Sequence, residues 1–267
     1  SLIHLTNMEN SLKTQYLNAG NISARINLHA KYSVNKQGWF SWIYEQCGLE
    51  PGIKVLETGC GDGRLWVDNI KNVEKLKNIK ITVTDISEGM VNDARRNIGN
   101  GMFDYGVADC MNLPFDDNSF DCVIANHVIF YCEEPGKAFK EIKRVLKPGG
   151  KAVFSTYGSH HMQEIAQLVN QFDKRIVLSA DVLYEKFGLD NGERLLKKYF
   201  NKVDKRLYDD YLLVDVAEPI IEYILSCHGN QNHYLLDRYS DFKAFIMKKT
   251  RKPLKITKEA GVFVCFN

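Results

Sequence analysis

The stretch "VLETGCGDGRLW", Val55 to Trp66, places glycine at every second position, Gly59, Gly61 and Gly63, with a carboxylate, Glu57, just ahead of them. Glycine lets a backbone turn sharply and approach a ligand closely. Between a strand and a helix, such a turn offers N–H groups to a nucleotide. Three ligand chemistries compete. A triphosphate loop needs Gly-Lys-Ser or Gly-Lys-Thr, because the lysine reaches the phosphates; here Gly63 is followed by Arg64 and Leu65. A dinucleotide loop reads G-x-G-x-x-G, its third glycine letting helix and strand pack closely; Arg64 stands at that place. The third chemistry is a nucleoside carrying a methyl-sulfonium.

The acids separate these. Asp85 ends "IKITVTD", about 20 residues past the glycines, where a carboxylate can accept from a ribose diol. Asp109 ends "FDYGVAD" and can accept from an adenine amino group, with the Cys110 N–H as complementary donor. Glu57 suits a positively charged amino-acid end, and Cys60 lies within the loop. Three carboxylates would repel a pyrophosphate but attract a sulfonium and an ammonium. Ile86 and Met111 can sandwich an adenine ring or serve as core. Asn126 and His127 fall at the end of "FDCVIANHV", beside the reacting position.

The elements that must hold these residues are legible from their periodicity. "IKVLET", "IKITVTD", "FDYGVAD", "FDCVIANHV" and "KAVFSTY" read as five strands over 53–58, 79–85, 103–109, 120–128 and 151–157. Gly61 begins a helix that runs to about Ile70. Ser87 caps another, to about Asn97, with Met90 in its first turn. Pro135 opens a third, with Ala138, Phe139, Ile142, Val145 and Leu146 on one face. Lys147-Pro148-Gly149-Gly150 is expected to break it. Strands alternating with helices predict an α/β fold, with a mostly parallel, doubly wound sheet and ligands at the carboxyl ends of its strands.

The flanks read as helical over 8–47 and 159–200, then as a strand at 203–208, helices at 218–227 and 239–249, and a strand at 260–266. The chain has 267 residues, 45% hydrophobic and 25% charged, with formal net charge +2. That charge is too small to imply nucleic acid or an anionic membrane. No run of about 18 apolar residues predicts a membrane span. Seven cysteines, none spaced C-x-x-C, and no apolar leader predict unpaired thiols in a reducing cytosol, without zinc. The first residue is Ser, and the opening residues are left out of the fold argument.

Taken together, "VLETGCGDGRLW", "VTDIS", "VADCMNLPF", "FDCVIANHV" and "EIKRVLKPGG" resemble the successive motifs of class I S-adenosylmethionine-dependent methyltransferases, over about Val55 to Tyr157. The likeness is to the type 11 small-molecule branch, and "ARINLHAKYSVNKQGWFSWI" is similar to a leader in a bacterial subgroup of it. The resemblance implies a seven-stranded Rossmann-like sheet with an antiparallel last strand, S-adenosylmethionine as cofactor, and methyl transfer to O, N or C of a small molecule. The cofactor set is then Glu57, Gly59, Cys60, Gly61, Gly63, Asp85, Ile86, Met90, Asp109, Cys110, Met111, Asn126, His127 and Tyr32. His127 is the candidate base, and Trp39, Tyr131 and His161 are candidate substrate contacts. Relatives tend to carry a second His shortly after "ANH", where this chain has Tyr131 and Cys132.

The domain expectation is a helical lid over 1–47 and a catalytic domain over 48–267, with helical insertions near 159–200 and 214–250. Three other readings stay open: an RNA methyltransferase using the basic run Lys243 to Lys258, a non-catalytic cofactor-binding protein, and an NAD-dependent oxidoreductase. Basic runs of this kind are more often solvated faces than RNA contacts.

Overall fold

A computed structural model describes residues 22–99 and 101–267. The part of the expected helical lid that lies in residues 1–21 falls outside the described residues. Two compact units interleave along the chain. The larger comprises Gln37–Ser159, Leu183–Tyr208 and Glu259–Asn267; the smaller takes, among the described residues, 22–36, His160–Val182 and Asp209–Lys258.

In the larger unit, helix α2 (Trp39–Cys47) precedes the run β1 (Lys54–Thr58), α3 (Arg64–Val73), β2 (Lys80–Asp85), α4 (Glu88–Ile98), β3 (Phe103–Val107) and β4 (Phe120–Asn126). A 3₁₀ turn (Ile129–Tyr131), α5 (Pro135–Val145) and β5 (Leu146–Tyr157) follow. Later segments add α7 (Leu183–Lys186), α8 (Gly192–Leu196), β6 (Lys202–Tyr208) and β9 (Ala260–Phe266). The seven strands order as β3-β2-β1-β4-β5-β9-β6. Strands β1 to β5 pair in parallel, and β9 runs antiparallel to both β5 and β6. The strand order reverses between β1 and β4, which is the switch point where ligands settle in such sheets.

Strand parity divides the core. Leu56, Val123, Ala125, Phe154 and Phe263 face one cluster with Phe139 and Ile142 of α5. Val55, Cys122, Ile124, Val153 and Val262 face the other, with Ile43 of α2, Leu65 and Trp66 of α3, and Ala94 of α4. Side chains alternate across a strand, and a sheet covered on both faces therefore reads as unbroken apolar runs.

Ser87 caps α4 as expected, its Oγ accepting from the Met90 N–H. Helix α5 ends at Val145, just before Lys147-Pro148-Gly149-Gly150, and β5 begins at Leu146, opposite Phe120, with a register shift before Cys122. Gly149 donates to the Asn267 carbonyl and Asn267 donates to that of Gly150, so backbone pairing continues. The helical expectation over 159–200 resolves into three shorter helices, separated by the loop 173–182 and by the turn that holds Gly188. The expected lid boundary at residue 47 falls at Lys36 instead; Ile43 and Cys47 of α2 are buried in the larger unit's own core.

The smaller unit holds α1 (Ile22–Tyr32), α6 (Gln163–Phe172), β7 (Tyr211–Val214), α9 (Ala217–Leu225), α10 (Gln231–Leu235), α11 (Tyr239–Lys249) and β8 (Leu254–Thr257). Strands β7 and β8 form a two-stranded antiparallel sheet absent from the sequence reading. Leu28, Ile165, Val169, Leu212, Ile220, Ile224, Phe242 and Ile246 make its core. Asp210 and Lys258 pair inside it at 2.9 Å, the Asp210 side chain having no exposed surface. Ser33 Oγ donates to the same carboxylate, and the Asn35 N–H donates to its other oxygen at 2.9 Å.

Candidate cofactor site

The loop from β1 to α3 is shaped by contacts that only glycine permits. Gly59 has φ 71°, and a Cβ there would stand 2.3 Å from Val128 Cγ2. Gly63 has φ 85° and caps α3, where a Cβ would meet Ile98 and Ala94 of α4. These positions bring the loop against the residue chain after β4 and against α4. Any larger side chain would open the gap.

Asp85 fastens this loop. Its Oδ2 accepts from the Gly61 N–H at 3.0 Å and its Oδ1 from the Ser87 N–H at 2.9 Å. A carboxylate offers about four acceptor sites, so two remain for a ligand diol. Asp109 is held likewise, its Oδ1 accepting from the Met111 N–H at 2.9 Å.

These groups converge on one cavity of about 360 Å³, lined by Gly59, Gly61, Asp85, Ile86, Asp109, Cys110, Met111, His127 and Tyr131 from the expected set. Thr58, Ala108, Val128 and Cys132 complete the lining. Val128 and Cys132 belong to the turn after β4, and the nearness of Val128 to Gly59 had no local sequence signal. Among the described residues the lining holds two carboxylates and neither Lys nor Arg. One end is glycine backbone. The middle and far walls are apolar, and Ile86 is 70% exposed.

Of the expected cofactor set, Glu57, Cys60, Gly63, Met90, Asn126 and Tyr32 stand outside the lining. Glu57 shares strand parity with Val55, so it faces α3, and its Oε1 accepts from the Trp66 indole N–H at 2.8 Å. It is buried, and burial pushes its carboxyl up to about 8 despite the indole hydrogen bond. Cys60 donates its N–H to the Thr84 carbonyl, fixing the loop. Tyr32 and His161 lie in the smaller unit. There His161 stacks on His29 with ring centroids 6.3 Å apart.

His127 has φ 54°, left-handed and costly for a residue with a Cβ. Its N–H donates to Ser155 Oγ at 2.9 Å, and Ser155 in turn donates to Asn126 Oδ1 at 2.6 Å. The Trp39 indole N–H donates to the same Asn126 oxygen at 3.2 Å. The imidazole lies between the Trp39 and Tyr157 rings, with centroid distances of 4.9 and 4.1 Å. Its Nδ1 is 3.3 Å from Ser155 Oγ. Trp39 thus packs on the candidate base.

Strand order, glycine turn and strand-end acids together define a doubly wound α/β fold with a cavity at its switch point. Residues 56–154 match the family model described as a methyltransferase domain. That segment is over a third of the chain, and there the chain is similar to class I S-adenosylmethionine-dependent methyltransferases. It is 36% identical over 108 residues to cycloartenol-C-24-methyltransferase 1 of Oryza sativa subsp. japonica, covering 39% of this chain and 30% of that one. It is 29% identical over 126 residues to the malonyl-[acyl-carrier protein] O-methyltransferase of Serratia marcescens, covering 46% of each. The chain therefore spans about a third to a half of the length of these curated relatives. Phosphoethanolamine N-methyltransferase 2 of Haemonchus contortus, solved with S-adenosyl-L-methionine, shares the fold at TM-score 0.54 and 19% identity, over 92% of this chain and 56% of that one. Among the described residues no helix is long and apolar enough to cross a membrane, and no group of three or more His, Cys, Asp or Glu could hold a metal.

Proposed function

We propose that this chain is an S-adenosylmethionine-dependent methyltransferase acting on an oxygen, nitrogen or carbon atom of a small molecule. The observation that carries the reading is the single cavity joining the glycine turn to two strand-end carboxylates, with no cation in its lining. That lining fits a nucleoside bearing positive charge and disfavours a pyrophosphate. When bound, the cofactor supplies a methyl group on an activated sulfonium.

The chain's own residues then bind and orient. Gly59 and Gly61 give backbone room for the amino-acid end, Asp85 accepts from the ribose hydroxyls, and Asp109 accepts from the adenine amino group. Ile86 and Met111 flank the base. Positioning of this kind supplies much of the rate in a displacement. His127, fixed by Ser155 and its two aromatic neighbours, is placed to take a proton where the acceptor must lose one. The relatives' names include methyl transfer to carbon, oxygen and nitrogen, so the acceptor atom stays open among the three.

The basic run gives the RNA alternative little support. Lys243 pairs with Glu218, Lys258 with Asp210, Lys249 lies over Phe245, and Lys255 over Tyr211. The seven cysteines are free thiols. Calorimetry with S-adenosylmethionine, S-adenosylhomocysteine and NAD tests the reading. Binding of the first two is expected; NAD binding without either would overturn it.

A further inference from the structure

Two cysteines meet at the cavity wall. Cys110 follows Asp109 on the loop after β3, and Cys132 follows the 3₁₀ turn after β4. Both line the cavity, and their sulfurs stand 3.0 Å apart. Among the described residues, none of the other five cysteines has another cysteine sulfur at such a distance. A disulfide requires about 2.05 Å between sulfurs, so these two need a relative movement of about 1 Å.

The surroundings make the two thiols unequal. The sulfur contact with Cys110 holds the Cys132 thiol below its ordinary value against burial and the charge of Asp109. The Lys186 ammonium donates to the Cys132 carbonyl at 3.0 Å and adds positive field. The same sulfur contact, with burial and Asp109, holds the Cys110 thiol up. Burial raises Cys47, Cys60, Cys122, Cys227 and Cys265 as well. Cys132 is therefore the nucleophile of the pair and Cys110 the resolving thiol.

We propose that Cys110 and Cys132 form a peroxide-reactive dithiol whose oxidation to a disulfide narrows the adenine end of the cavity and weakens cofactor binding. The Cys132 thiolate attacks one oxygen of hydrogen peroxide. An S–O bond forms, the O–O bond breaks, and the leaving hydroxide takes a proton to become water. Cys110 sulfur then attacks Cys132 sulfur. The S–S bond forms, the S–O bond breaks, and the departing hydroxide takes the Cys110 proton as a second water. The two sulfurs lose two electrons and the peroxide gains them. The loops carrying Asp109 and Val128 are drawn together, and both border the base site. The gating half of this proposal rests on the cofactor reading above; the dithiol half does not.

The test uses the full chain, reduced or treated with hydrogen peroxide. A non-reducing peptide map is expected to show a Cys110–Cys132 cross-link that dithiothreitol removes. Calorimetry with S-adenosylhomocysteine is expected to show binding weakened about tenfold or more, a change of about 1.4 kcal/mol or more, and restored by dithiothreitol. In Cys132→Ser, peroxide is expected to leave the variant's own affinity where it started. Oxidation of Cys132 to sulfinic acid without a cross-link would overturn the dithiol. A cross-link with unchanged affinity would overturn the gating. No binding to the reduced protein would overturn the cofactor reading and the gating with it, while the peptide map still decides the dithiol.

Discussion

The His127 imidazole and the Tyr157 phenol ring lie face to face, 13° from parallel, while the His127 backbone holds a left-handed conformation. A stack worth about 1 kcal/mol thus sits on a backbone whose strain is of similar size. His127→Ala removes the stack and keeps the strain; His127→Gly removes both. The glycine variant is expected to be the more stable by about 1 kcal/mol, the reverse of the usual order. Urea midpoints compare them, and an alanine variant equal or superior to the glycine one would show that the backbone is unstrained.

Glu57 gives a stability signature in pH. Its carboxyl is raised from 4.5 to about 8, so the folded state holds a proton that the unfolded chain releases. The contribution is full below pH 4.5 and is lost as pH rises through 8. Glu57→Gln keeps an oxygen for the Trp66 N–H and cannot ionise. It should gain on the wild type between pH 5 and pH 8, by on the order of a few kcal/mol. Parallel denaturation curves at the two pH values read this. Unchanged affinity of the same variant for S-adenosylhomocysteine would remove Glu57 from the ligand set.

Asp85 carries both loop and ligand. Asp85→Asn keeps one acceptor oxygen but loses the charge and half the acceptor capacity. Its affinity for S-adenosylhomocysteine should fall by about tenfold to a hundredfold, with the melting temperature changed much less. Calorimetry beside thermal melts would show it, and wild-type affinity would place the ribose elsewhere.

The features legible in the sequence were those written locally. The glycine turn, Asp85 and Asp109 fall at the ends of β-branched runs, and the period of α5 marks its buried face. Strand parity also marked Glu57, since it faces the same way as Val55, but the likeness of its position to a ligand contact obscured that signal. The meeting of Cys110 with Cys132 depends on which strands are neighbours, and no local pattern encodes strand order. Strands β7 and β8 escaped notice because each has four residues and the two lie some 40 positions apart along the chain.

The Asp210–Lys258 pair offers a test in the smaller unit. Burial alone would raise the Asp210 carboxyl, but hydrogen bonds from Lys258 and Ser33 outweigh it and hold it below its ordinary value. Its contribution is therefore present above about pH 4 and lost on acidification. Lys258→Met strands the carboxylate and should cost about 3–5 kcal/mol. Lys258→Met combined with Asp210→Leu should recover most of that loss. A double variant no better than the single one would show that packing, not charge, holds the site.

Strand β9 lies between β5 and β6, and β6 meets the large sheet only through it. During synthesis, the edge of β5 is complete once Tyr157 emerges, whereas its partner, Ala260–Phe266, follows roughly a hundred residues later, about 5–20 s at ordinary translation speeds. Through that interval an apolar strand edge offers its unpaired N–H and C=O groups to any neighbouring nascent chain. The order in which its strands are made thus sets how long that edge waits for its partner.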